Sequence, residues 1–306
     1  MFRLAAPLAL GVAALALAAC SEPKKPAASD ADGAKSAAGA AAQPERGDGD
    51  DRAAAEDGAK EGGAAPVERV ANAFSAQVAG GFYPDDASAL AAKVRGFLDA
   101  ADSDDVARDR DLVAILSPHA GYRYSGPVAG EAYRVAAKRD VRTVVVLALS
   151  HRRAASELGV LDRPAYDTPL GSLEIDRPVV RRLLDEHGDV FADDERLFRG
   201  EHSLEVQLPF IQVALPEARL VPVIVASPDE AVLAAAGDAL YEELGAREDV
   251  LFVLSSDLSH HHPYARATKL DEQNLRLLEQ WKLDEWKALA SRPREGMCGV
   301  KPVTVF

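Results

Sequence analysis

Residues 250–264 read VLFVLSSDLSHHHPY. The five apolar residues Val250 to Leu254 make a run of strand length, and polar residues follow at once. Three of the chain's seven histidines then stand together, His260 to His262, inside the chain, which excludes a terminal tag. Runs of the same kind occur at Leu112 to Leu116, Val144 to Leu149 and Leu220 to Val225. They alternate with longer amphipathic stretches around Gly130 to Lys138, Pro178 to His187, Ser203 to Leu215, Asp229 to Leu244 and Tyr264 to Gln280. Ahead of them, FYPDDASALAAKVRGFLDAA from Phe82 puts Leu90, Val94, Phe97 and Leu98 on one helical face. This alternation predicts a single α/β domain with a mainly parallel sheet flanked by helices. Ligands of such sheets sit outside the carboxyl ends of the strands.

The histidines follow that geometry. His119 comes after LVAIL, His151 after VVVLAL and His260 after VLFVL, so a parallel sheet would gather them at one rim. His202, at the start of a predicted helix, adds a fourth. Neutral imidazole is the commonest metal ligand near neutral pH and a general base when free. A lone histidine after a strand is ordinarily a hydrogen-bonded loop residue, and only the joint pattern points to a site. His187 precedes Gly188 and reads as a residue at a helix C-terminus. His261 and His262 read as solvated neighbours. Asp257 shares a turn with His260 and is expected to orient its ring. Cys298, between Met297 and Gly299 and ahead of an apolar stretch that can begin a helix, joins the group as a thiolate favoured by a helix N-terminus or by a metal.

The first twenty residues, MFRLAAPLALGVAALALAAC, have a short positive region, an apolar core and a small-residue cleavage site ending in Cys20. The apolar run falls short of the roughly 20 residues that cross a bilayer. The pattern is that of a bacterial lipoprotein: residues 1–19 a signal peptide, Cys20 lipidated, and Ser21 next to it directing the protein to the outer membrane, facing the periplasm. Residues 20–66 hold no aromatic residue and none that is β-branched, too little apolar surface to offset ordering, and are expected to be a disordered tether. Residues 67–306 remain as one domain. A net charge of -14 argues against nucleic acid, which needs a basic surface. Of the two cysteines, lipidation of Cys20 leaves Cys298 as a free thiol.

The stretches FYPDD, SPHAGYRYSGPVAGEAY, SH at 150–151, YDTPLGSLEID, EHSLEVQLPF, SSDLSHH and MCGVKP, in this order from Phe82 onward, resemble the Memo family, also called the AmmeMemoRadiSam system protein B family. Its fold is similar to that of class III extradiol dioxygenases, which hold non-haem Fe(II) with two histidines and a carboxylate. The resemblance implies His119, His151 and Cys298 as metal ligands, with His202, Asp257 and His260 around them as catalytic candidates. A thiolate in place of the carboxylate gives a softer set that suits Fe(II) or Cu, and less well Zn. It also weakens any case for ring cleavage. The family usually has Gly-Pro where this chain has Ala148-Leu149, and it continues beyond the position of Phe306, which predicts an incomplete C-terminus with Cys298 near a frayed end. Three functions compete. One is a metal-dependent oxidoreductase acting on a small molecule; another is a non-catalytic module that binds metal or a peptide. The third, a hydrolase built on Ser256 or Cys298 with His260 and Asp257, is weakest, because proximity in sequence does not make a triad.

Overall fold

The computed structural model describes residues 68–102, 112–292 and 295–306. The signal peptide, Cys20 and the whole tether lie outside the described residues.

The four apolar runs become the parallel strands of a six-stranded sheet. These are β1 (Ala114–Ser117), β2 (Thr143–Leu149), β7 (Arg219–Val225) and β8 (Val250–Ser255), adjacent in the order β1-β8-β2-β7. Their near-continuous apolar character matches strands covered on both faces, and Val144 to Ala148 and Leu220 to Val225 are almost wholly buried. Two short strands extend the sheet beyond β7: β3 (Leu158–Val160), antiparallel to it, and β6 (Phe191–Asp193), parallel to β3. A separate antiparallel pair, β4 (Ala165–Thr168) and β5 (Gly171–Glu174), lies in the YDTPLGSLEID stretch.

Helices occur in the amphipathic stretches: α1 (Ala87–Ala100), α2 (Tyr122–Ala136), α3 (Arg177–Glu186), α4 (Leu208–Ala214), α5 (Glu230–Leu244) and α6 (Tyr264–Glu279), but α4 starts five residues later than expected, so a turn and a 3-10 segment, not a helix, follow His202. Asp86, Asp176 and Asp229 cap the first turns of α1, α3 and α5 by accepting from backbone N–H groups left without helical partners. Helix α2 begins eight residues before the predicted stretch around Gly130, straight after the loop that carries His119. It packs closely on α1: a Cβ at Gly130 would lie 2.6 Å from the Phe97 carbonyl oxygen, so only glycine fits. Short α7 (Leu283–Ala290) and α8 (Val300–Val305) complete the chain. Among the described residues, no helix is long and apolar enough to cross a membrane.

The end of the chain is not frayed around Cys298. Pro302 and Val305 of α8 are buried, and α8 packs on α5, β2 and β8. A second small core of Trp286, Ala290 and Met297, with Leu258 against it, anchors the turn ahead of α8.

Candidate metal centre

Because β8 lies between β1 and β2, the carboxyl ends of these three strands adjoin one another, with Ser117 opposite Ser255 in the register. His119 follows β1, His151 follows β2, and Asp257 and His260 follow β8, all at the same rim. Of the histidines, His119 and His151 come together there and are joined by His202, while His260 stays exposed outside that group.

The segment 201–207 crosses this rim and holds it together. Its buried polar residues fall on alternate positions, and each reaches a different partner. Glu201 accepts from the His151 Nδ1 at 2.9 Å and from the backbone amides of His151, His202 and Ser203 at 2.6, 2.9 and 3.0 Å. Ser203 donates to the Leu149 carbonyl at 2.6 Å, which fixes the strand end where the family's usual Gly-Pro is replaced. Glu205 accepts from Tyr83, Tyr166 and the amides of Gln77 and Val78, tying the FYPDD and YDTPLGSLEID stretches to the rim. Gln207 donates to the Pro118 carbonyl and to Ser255 Oγ. Burial pushes the Glu205 carboxyl up against those four donors, and its place behind the rim makes it a structural clasp.

The hydrogen bonds decide which ring atoms face the site. Ser255 Oγ donates its single proton to the Ser203 carbonyl at 2.6 Å, so at 2.9 Å it must accept from His119 Nδ1. His119 therefore addresses the site through Nε2, which meets Cys298 Sγ at 3.1 Å. A carboxylate accepts only, so the His151 Nδ1 donates to Glu201 and Nε2 is again the atom turned to the site. His202 is stacked between Phe82 and His151, with ring centroids 4.4 and 4.5 Å away. One ligand atom from each of His119, His151 and His202 falls within 4.8 Å of the others, a group able to hold a metal ion. His119 is 1% exposed while the His151 side chain is 33% exposed, so the cluster opens to solvent on the His151 side.

Cys298 is clasped to the same loop. Its amide donates to the Asp257 carbonyl at 3.2 Å, and the Asp257 amide donates to Sγ, also at 3.2 Å. Burial works against the thiolate, yet hydrogen bonds with His119, His151 and His260 overcome it and bring the thiol down to about 4. The bond with Cys298, followed by that with Glu201, raises His151 to about 9. Burial opposes ionisation of Glu201 as well, but His151 and the amides of Ser203 and His151 hold it at about 2. His202 is lowered to about 4, chiefly by burial, and is neutral at pH 7. His260 is exposed and raised, first by its hydrogen bond with Cys298, which places it at the thiol on the solvent side.

One expectation needs correction. Asp257 does not turn to the His260 ring: its Oδ1 accepts from the amides of His119 and Ala120 at 2.7 and 3.2 Å, and Oδ2 lies 3.9 Å from His119 Nε2. The parallel strands bring the two loops together, so a partner distant in sequence outcompetes the near one. Ser256, 3% exposed, donates to the Asp257 carbonyl and accepts from the Gly299 amide, both at 2.8 Å, and so serves as a strut under α8. A Cβ at Gly299 would fall 2.3 Å from Ser256 Cβ, which explains the glycine after the cysteine. His187 caps the C-terminal end of α3, as its sequence context predicts, and His261 is exposed in a left-handed turn with φ 60°. Sequence reasoning assigned no role to Glu201, Ser255, Gln207 or Phe82, although all four lie within the stretches FYPDD, EHSLEVQLPF and SSDLSHH that carry the family resemblance.

Comparison with known proteins identifies the family. The model of the Memo-like protein family matches residues 75–306. A MEMO1 family protein of Methanopyrus kandleri is 35% identical over 240 residues, covering 74% of this chain and 83% of that protein. Those of Pyrococcus furiosus, 33% identical over 237 residues, and Aquifex aeolicus, 36% over 231, cover 72% and 74% of this chain and 78% and 82% of their own lengths. The chain belongs to the Memo family.

Proposed function

We propose that this chain binds a redox-capable transition metal, Fe(II) or Cu in preference to Zn, through His119, His151 and Cys298, with His202 as a further imidazole donor, and acts as a metal-dependent oxidoreductase. The observation that carries the reading is the fixed orientation of the rings. Metal-bound histidines characteristically give their second nitrogen to a carboxylate or another acceptor, and Glu201 and Ser255 play that part for His151 and His119. A thiolate with imidazoles is a soft donor set that suits Fe(II) and Cu. The donors present fit such an ion. When bound, it would supply one-electron chemistry toward oxygen or a small substrate. His260, exposed beside the thiolate, is the group placed to hold a proton at the mouth. The chain's remaining parts fit a periplasmic protein tethered through lipid on Cys20.

Metal analysis after anaerobic loading with Fe(II) or Cu(I), followed by oxygen-consumption assays, tests the proposal. About one equivalent of metal is expected in the wild type, less in Cys298→Ser, and no loss in His262→Ala. A folded, metal-free wild type would overturn it in favour of an interaction module.

A further inference from the structure

Directly after His151 the chain carries Arg152 and Arg153, and both line a cavity of about 480 Å³. Ser156, Glu157, Asp194 and Arg196 line it as well. Arg196 makes two bonds of 2.8 Å to Asp194, whereas Glu157 accepts only from the neutral Ser156 hydroxyl at 2.9 Å. Arg152 and Arg153 also lack an ion-pair partner among the described residues. Arg152 Nε donates to the Gly200 carbonyl at 2.6 Å, which orients the guanidinium without neutralising it. Arg153 uses its backbone amide on Ser150 Oγ, and its side chain is exposed. Among the described residues, neither guanidinium has a carboxylate within ion-pair distance.

We propose that Arg152 and Arg153 bind the carboxylate or phosphate of a small organic acid at this cavity, a reading independent of the metal centre above. The guanidinium fork matches planar carboxylate and phosphate oxygens, and such charge-assisted bonds are about twice as strong as neutral ones. The cavity volume falls in the range of small-ligand sites, roughly 300 to 1,000 Å³. In a chain of net charge -14, whose overall field repels anions, three arginines against Glu157 and Asp194 leave this lining net positive and favour an anionic group locally.

The test is calorimetric titration of the full chain, stripped of metal with a chelator, using succinate and inorganic phosphate as separate probes. Saturable binding of at least one is expected, weakened about tenfold or more in Arg153→Gln and further in the Arg152→Gln, Arg153→Gln double variant. Arg153→Lys keeps the charge without the fork and should fall between wild type and Arg153→Gln; its circular dichroism and thermal midpoint verify that the fold is kept. Absence of saturable binding by the wild type, or equal binding by the folded double variant, would overturn the proposal. Metal content is measured on the same preparations, so a failed metal centre with intact anion binding, or the reverse, is distinguishable.

Discussion

At the scale of single residues, the centre is defined by where its protons sit. With Cys298 lowered to about 4 and His151 raised to about 9, the metal-free site at pH 7 holds a thiolate against an imidazolium. The proton that must leave for a metal to bind is thus on His151 rather than on the thiol. Calorimetry at pH 7 in buffers of different ionisation enthalpy should show release of about one proton per metal bound. No release would mean that His151 is not a ligand. Stability of the metal-free chain follows the same groups. The raised His151 contributes stability that is complete below its ordinary value of 6.5 and is lost as pH climbs through about 9. The lowered Glu201 contributes stability that is complete above 4.5 and is lost as pH falls through about 2. The pair is therefore whole between 4.5 and 6.5.

At the scale of elements, the α1 and α2 contact sets the loop that carries His119, since α2 starts just past it. Two glycines permit the contact in different ways. An added Cβ at Gly126 would meet the ring of Phe97 at 2.2 Å, and a ring can turn; at Gly130 it would meet the Phe97 backbone oxygen at 2.6 Å, and a helix must shift. Alanine gains about 1 kcal/mol over glycine inside a helix, while overpacking costs typically about 1 to 3 kcal/mol. Gly130→Ala should therefore be destabilising in urea unfolding and Gly126→Ala closer to neutral. Equal effects would show that the two helices slide freely on each other. The same scale explains which strands the sequence hid. β3 and β6 have three residues each and β4 and β5 four, too short for a periodic signal to stand out from loops.

At the scale of the whole molecule, the folded domain and the stretch ahead of it have separate jobs. The domain carries the histidine cluster; we propose that the first 66 residues, with the small-residue site ending in Cys20, supply the address. Metabolic labelling with a fatty-acid analogue should mark the wild type and leave Cys20→Ala unmarked. Equal labelling of both would rule out the lipid anchor.

The sequence by itself determined the four buried parallel strands, because strands covered on both faces must be apolar along their whole length, and it placed His119, His151 and His260 at their carboxyl ends. It also marked Cys298 as a thiol ahead of a helix. Only the tertiary structure decided what surrounds these groups. The strand order β1-β8-β2-β7 brings loops distant in sequence into contact, so Asp257 holds the backbone of His119 rather than its near neighbour His260. Glu201 and Glu205 read as surface carboxylates in one dimension, yet each is buried because several donors converge on it. A charge can be buried only where partners from several segments meet, and such a meeting is a property of the fold, with no local pattern to announce it.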